Sequence, residues 1–563
     1  MSTATVRTDV DTGSTAGDGL LELTGAQLGI WNAQRLEPDS PYYVVGDVLQ
    51  ISGDTPVDVP ALVEAVRATV EEAETLRLRL VTTPDGPRQY VDPDPVPPPP
   101  VVDLRDDPDP HAAARDLVAA ERARLAAGCR DMTGRSLFRP SVAVLGDTEV
   151  HYLQLGHHLV FDGYSATQLC RRIGARYTAA VRGEEPPRCP FRPFADLVAA
   201  DLEYRAGEQA GQDRAFWRDL LTPLPEAPGG PPPPDGPAAA TVTAHRELGP
   251  DTIARLKEVA DGAGVTWGEL VIAGYAAFLH RLESRTDVVF ALPLMCRTGS
   301  AALRTPAMMV NVLPLRLAVR PGDRLDELGR RTAAALRDVR AHQRFRGEDL
   351  PRELPGSGEL LHGRGINLKA SFDFGVRLGG STGVLVNVAG GPPEDLGLTA
   401  TPTAAGGLLL GFEADARTND EPVLRRRLDA LADLLTALAG PGLPPVGTVR
   451  LLAPDERDQA LAALDRPAPA GTPKDLPELL DDLAADPDRP ALVHAGVRLT
   501  AGELVGRVRE LSAALRGRGL GPGDVVAVSL PPRTRARRGT ARRARRRGRV
   551  PGARSGTPAA AAP

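Results

Sequence analysis

The stretch Gly156-His157-His158-Leu159-Val160-Phe161-Asp162-Gly163-Tyr164-Ser165 decides the reading of this chain. Two histidines stand side by side, and an aspartate and a glycine follow a turn's length later. The chain holds nine histidines in 563 residues, so an adjacent pair at the end of a strand pattern marks chemistry. Just upstream, residues 141–145 (SVAVL) and 149–155 (EVHYLQL) flank Gly146-Asp147-Thr148. This predicts a β-hairpin whose second strand delivers the histidines. After Gly163 a helix is expected, with Ser165 as its N-cap and Leu169, Ile173, Tyr177 and Val181 at i+4 steps as its apolar stripe.

An imidazole exchanges protons near neutral pH, so His158 is assigned as the group that orients or deprotonates an attacking amine. His157 and Asp162 are expected to shape the loop. Asp162 is too close in the chain to be taken as a proton relay and should instead make a buried ion pair with an arginine. Gly163 permits close approach of substrate, and its N–H can face a developing oxyanion. On the motif alone, acyl transfer and a satisfied core histidine are equal readings. The doubled histidine, the Asp-Gly pair, the hairpin before and the helix after favour the first. No G-x-S-x-G elbow, phosphate-binding glycine loop or dinucleotide fingerprint competes.

Outward from this centre, Thr24 reads as the N-cap of a helix with Leu28 and Trp31 on one face. Strands are expected at 43–51 and 76–81, and helices at 58–73 and 111–127. The proline-rich stretch 223–238 has the composition of a linker. Beyond it come helices at 251–262, 267–282 and 324–344, strands at 287–292 and 382–388, and apolar stretches at 308–315 and 366–374. Helices and strands interleave, so the fold class is α/β.

Apolar residues at 42% and charged residues at 25% fit a globular protein. Cys129, Cys170, Cys189 and Cys296 are scattered without ligand spacing, so neither a metal site nor a disulfide framework is expected. The polar N-terminus is not a signal peptide, and no apolar run is long enough for a membrane span; a cytoplasmic location is expected. Residues 533–563 carry 11 Arg and no acid, so the net charge of −6 is −17 over residues 1–532. An acidic body gives no reason to expect nucleic-acid binding. The abrupt arginine-rich tail is what out-of-frame translation near residue 533 would produce.

HHLVFDGYS resembles the HHxxxDG motif of nonribosomal peptide synthetase condensation domains. The resemblance runs over about residues 21–450, through LTGAQLGIWNAQRLEPDSPYY (23–43), AETLRLRL (73–80), FRPFADLV (191–198), MMVNVLPLRL (308–317), HQRFRGEDL (342–350) and INLKASFDF (366–374). Glu74, Leu76 and Arg77 keep the second motif, whereas Ala73 stands where many members have His. RTGSAALRTPAMMVNVLPLRL (297–317) and GPPEDLGLTA (391–400) are similar to the siderophore-synthetase branch, in which an aryl acid is joined to an amino acid.

The resemblance implies two chloramphenicol-acetyltransferase-like lobes, about 21–190 and 191–450, forming a V-shaped pseudo-dimer with a tunnel between them. It implies that Arg297 pairs with Asp162, that Asn311 supports the site, that Ser165 and Asp395 lie near the tunnel, and that 223–238 is a loop within one unit. It implies no directly bound cofactor. The substrates would come on the phosphopantetheine of an upstream acyl or aryl carrier protein and of an aminoacyl carrier protein, both in trans to a monomer. Residues 451–471 read as a linker. Residues 472–532, with LTAGEL (499–504), resemble the start of an adenylation domain, and no adenylation activity is expected. A catalytically idle fragment, a carrier-docking module and an acyltransferase using CoA thioesters are the alternatives.

Overall fold

The computed structural model describes residues 19–225, 241–358, 360, 363–369, 375–390, 396–403, 405–452, 454–464, 474–494, 497–521 and 524–526. They fall into two units, Met1–Glu456 and Arg457–Pro563. The proline-rich stretch from residue 226 on, Asp395, the lead up to residue 18 and the arginine-rich tail lie outside the described residues.

The first unit opens with β1 (Leu21–Glu22), α1 (Gly25–Leu36), β2 (Val44–Ser52), α2 (Val59–Glu72), β3 (Leu78–Thr83), β4 (Gly86–Val91), β5 (Val101–Asp103), α3 (Pro110–Gly128), β6 (Phe138–Gly146), β7 (Glu149–His157) and α4 (Gly163–Arg182). Thr24 starts α1 through a capping box with Gln27. The helix buries Gln27, Ile30, Trp31 and Gln34, an i, i+3, i+4, i+7 set. Of the pair expected on one face, Trp31 is buried and Leu28 is only partly covered. The hairpin around Gly146 forms as expected, with β7 antiparallel to both β6 and β2. Helix α4 begins at Gly163, so its N-cap is Asp162 and not Ser165. An aspartate there accepts the Ser165 N–H as a charge-assisted bond. Leu169, Ile173 and Tyr177 are buried against the sheet, but Val181 is 43% exposed in the last turn.

From residue 194, α5 (Phe194–Ala206) sets Phe194, Leu197 and Val198 in the first core, and α6 (Glu208–Leu220) sets Trp217 in the second. The second lobe follows: β8 (Thr241–Leu248), α7 (Pro250–Ala263), α8 (Trp267–Glu283), β9 (Asp287–Leu294), α9 (Gly299–Arg304), β10 (Asn311–Ala318), α10 (Leu325–Ala341) and β11 (Arg364–Leu368). The chain then makes β12 (Gly375–Leu378), β13 (Ser381–Ala389), β14 (Leu396–Pro402), β15 (Leu408–Asp415) and the helix Glu421–Leu438. The second sheet has the order β10-β9-β11-β14-β15-β8, with β11 parallel to both neighbours. α8 is apolar nearly all round and is buried accordingly.

The lobes do not divide at one point of the chain. The first sheet has the order β12-β13-β2-β7-β6-β5, so a hairpin from the second half completes the first lobe. β13 runs antiparallel to β2, from Thr382 opposite Ser52 to a bulge at Asn387 and Ala389. Asn387 Nδ2 donates to Gly46 O at 3.1 Å and to Asp47 Oδ1 at 3.0 Å across that seam. The strand expected at 382–388 therefore forms, but outside the second lobe of 191–450 to which the chain order assigned it.

The second unit contains the helix Leu476–Ala484, the hairpin strands Pro490–His494 and Val497–Thr500, and the helix Ala501–Arg516, which Thr500 and Glu503 cap. No single helix among the described residues is long and apolar enough to cross a membrane.

Candidate active site

The site is built on the exit of β7. Val44 of β2 lies opposite His157, and Phe138 of β6 lies opposite Gly156. Position 156 needs glycine, because a Cβ there would sit 2.5 Å from Phe161 Cε1 and 3.1 Å from Leu137 O. That lack of a side chain lets the chain double back, with the Val160 N–H donating to His157 O at 3.1 Å. Leu159, Val160 and Phe161 are each 1% exposed, so the turn is anchored by its apolar residues.

The two histidines have fixed and different tautomers. Gln34 Nε2 donates to the carbonyls of Glu37, Pro38 and Ser40, which leaves its Oε1 facing His157. His157 Nε2 therefore carries the proton it donates to Gln34 at 3.2 Å, and its Nδ1 accepts the Leu159 N–H at 3.3 Å. Burial, with the neighbouring His158, pushes the His157 pKa down to about 3, so the ring is neutral. With both nitrogens engaged, His157 is a positioning residue. In His158, Nδ1 lies 3.0 Å from Phe161 O; a carbonyl only accepts, so Nδ1 holds the proton. Nε2 is then left with a lone pair, and it has no partner among the described residues. Burial lowers the His158 pKa below the ordinary imidazole range, while Asp162 and the Phe161 carbonyl oppose the shift. The half-buried His158 ring thus presents an unprotonated nitrogen at neutral pH.

Asp162 is held by a clamp from the far half of the chain. Arg297 Nη2 lies 2.9 Å from Asp162 Oδ1 and 3.0 Å from Oδ2, with side chains 1% and 0% exposed. The Ser165 N–H and hydroxyl donate to Oδ1 at 2.9 and 2.7 Å, and the Met309 N–H donates to Oδ2 at 3.1 Å. Burial alone would raise this carboxyl; Arg297 and Ser165 outweigh it and hold Asp162 below the usual carboxylate range. Arg297 Nη1 donates further to Ala302 O and Thr305 O, and the guanidinium lies 4.5 Å from the Tyr164 ring centre. Cys296, which precedes Arg297, sits at φ 51°, in the left-handed region.

The other expected residues divide. Ser165 is fully buried, and its hydroxyl also takes donors from Arg297 Nη2 at 3.0 Å and the Ala307 N–H at 2.9 Å. Its fully engaged oxygen makes it part of the clamp. Asn311 donates to Gln343 O and Phe345 O and accepts the Gly347 N–H, so it braces the 343–347 segment. Gly163 is exposed at the first position of α4, where the N–H is free of intrahelical partners. Chain reading missed the two α1 glutamines. Besides Gln34, Gln27 Nε2 donates to Leu159 O at 3.2 Å and exchanges amide bonds with Gln89 at 2.8 Å. Their signal was present: polar residues at both ends of an otherwise apolar helical stripe. A cavity of about 110 Å³, lined among others by Thr24, Cys296, Met308, Met309 and Arg346, adjoins the clamp through Met309.

The chain belongs to the condensation-domain family, whose model matches residues 18–371. An AMP-binding enzyme model matches residues 480–536. The relatives are nonribosomal peptide synthetases, as the HHLVFDGYS resemblance implied. The dimodular nonribosomal peptide synthase of Bacillus subtilis is 31% identical over 514 residues, 90% of this chain and 21% of that protein. Enterobactin synthase component F of Escherichia coli O157:H7 is 33% identical over 529 residues, 91% of this chain and 39% of that protein. The chain thus spans between a fifth and two fifths of these relatives. The first condensation domain of the calcium-dependent antibiotic synthetase, solved with a substrate analogue, shares the mixed α/β fold. It has TM-score 0.69 and 33% identity and covers 77% of this chain and 100% of that one. The starter condensation domain of rhizomide synthetase matches with TM-score 0.64 and 29% identity over 78% of this chain.

Proposed function

We propose that this chain joins a carrier-bound acyl group, of aryl or fatty type, to the amine of a carrier-bound amino acid. The free, unprotonated Nε2 of His158 carries this reading. The amine nitrogen attacks the thioester carbonyl carbon, the C–N bond forms, and charge collects on the carbonyl oxygen. The C–S bond then breaks, and the carrier thiol leaves with the proton that the amine gave up. A histidine with a lowered pKa is a weak base for a free ammonium ion. His158 therefore hydrogen-bonds and orients the neutral amine, and takes its proton only as C–N bond formation acidifies that nitrogen. It passes the proton to the departing thiolate. Orientation of two tethered reactants is itself worth about 7–11 kcal/mol at best, so placement carries much of the rate. The exposed Gly163 N–H, at the positive end of α4, faces the developing oxyanion. His157, Asp162 and Arg297 act by positioning the loop.

Both substrates arrive on phosphopantetheine arms of separate carrier proteins, in the cytoplasm, in a siderophore-type or other secondary-metabolite pathway. The test is amide formation between an acyl-loaded donor carrier and an aminoacyl-loaded acceptor carrier, followed by mass spectrometry. His158→Ala should lower product formation by about 10²-fold or more, with an unchanged circular dichroism spectrum. Undiminished product from that variant would sink the assignment. No product from the unsubstituted chain with any loaded pair would favour the idle or docking reading.

A further inference from the structure

The start of β7, at the opposite end from the histidine pair, carries a second cluster. Glu149 and His151 are two residues apart on one strand and so share a face. The same face carries Leu153 and Leu155, which pack with Ala114 and Leu125 of α3. His111 stands in the first turn of α3, just after Pro110 and the Asp109 N-cap, so its backbone is held firmly. His111 Nε2 lies 3.8 Å from Glu149 Oε2, and His151 Nε2 lies 3.7 Å from Glu149 Oε1. One donor atom from each of the three residues falls within 4.8 Å of the others. No arginine or lysine pairs with Glu149 among the described residues.

We infer that His111, Glu149 and His151 bind one divalent transition-metal ion. The spacing is the argument. A direct ion pair would close to about 2.8 Å, whereas ligands at about 2.0–2.1 Å from a tetrahedral zinc stand about 3.4 Å apart. The separations of 3.7 and 3.8 Å run to the two different oxygens of Glu149, and one ligand atom from each residue lies within 4.8 Å of the others, so side-chain rotation has to close the set by up to about 1.4 Å. Two imidazoles and one carboxylate suit zinc, cobalt, nickel or copper, whereas calcium and magnesium take oxygen shells. The α3 N-terminus disfavours a nearby cation, and the Glu149 carboxylate offsets it. Three protein ligands leave a position for water on the exposed side of His111.

The site is structural. It pins the first turn of α3 to the hairpin that delivers the catalytic loop, about 26 Å along β7 from His157 at ~3.3 Å per residue. Chain reading expected no metal because its ligands are split between a helix and a distant strand and show no ligand spacing.

The experiment is calorimetric titration of the chelator-treated full chain with zinc chloride, alongside cobalt(II) absorption spectra. We expect one ion per chain, a rise in Tm, and a cobalt spectrum without thiolate charge-transfer bands, which excludes the cysteines. His111→Ala, at an exposed position, and Glu149→Gln should each weaken binding by more than about tenfold, the least that loss of even an outer partner costs. Both should leave condensation activity unchanged without metal. Absence of binding, a thiolate band, or full affinity in either variant would overturn the inference.

Discussion

Replacing Arg297 with methionine tests the clamp most directly. The substitution keeps length and apolar bulk but leaves Asp162, which is 0% exposed, without its counter-charge. It also removes donors from Ala302 O, Thr305 O and Ala307 O. Breaking one side of a buried pair costs about 3–5 kcal/mol. Asp162 keeps the Ser165 N–H, the Ser165 hydroxyl and the Met309 N–H, so the lower end, about 3 kcal/mol, is expected. Set against a typical stability of about 5–15 kcal/mol, the variant still folds. Urea unfolding followed by tryptophan fluorescence measures the loss. Adding Asp162→Asn removes the stranded charge and should restore about 1–2 kcal/mol. The condensation rate should fall beyond the folded fraction, by about 10²-fold for a 1 Å shift of His158. A cost below about 1 kcal/mol, or a double variant no more stable than Arg297→Met, would refute the buried-charge reasoning.

Three further outcomes are expected. The condensation rate should fall toward acid with its inflection below pH 6.5, because burial lowers the His158 pKa and only the neutral ring accepts a proton; an inflection above that value contradicts the site. Stability should decline from about pH 6.5 toward about pH 3, since His157 binds a proton in the unfolded chain but not in the folded one across that window; a flat melting profile there argues against the buried, neutral His157 ring. Gly156→Ala should abolish activity and destabilise the first lobe by about 1–3 kcal/mol, because its Cβ would meet Phe161 at 2.5 Å; calorimetry gives the shift, and a neutral result rules out the tight turn.

What could be read from the chain was local. The hairpin into His157, the Thr24 cap and the α4 stripe through Tyr177 all lie within short windows, where alternation, i+4 spacing and capping chemistry act. The α4 start differs from the Ser165 cap that the pattern predicts because a stronger acceptor, Asp162, stands three residues earlier. The Asp162–Arg297 contact joins positions 135 apart and followed only from family resemblance, since periodicity carries no signal at that distance. Gln27 and Gln34 carry no apolar signal of burial, because their amides are buried as specific partners of the histidine loop. The β12–β13 insertion left no local trace, because an edge pairing with β2 looks the same as one with any other strand.

That insertion also sets a timetable for synthesis. β2 is made early, yet its partner β13 ends at Ala389, so the first lobe waits for about 200 more residues after α4, roughly 10–40 s at ribosomal speed. Until then β2 offers an open edge while the second lobe is still emerging, and the lobes must mature together instead of in turn. Protease sensitivity of ribosome-bound chains stopped before and after β13 would reveal the switch. A graft that cuts the chain once near residue 190 would exchange one lobe together with an edge strand of the other, so functional hybrids need a second crossover around the β12–β13 hairpin.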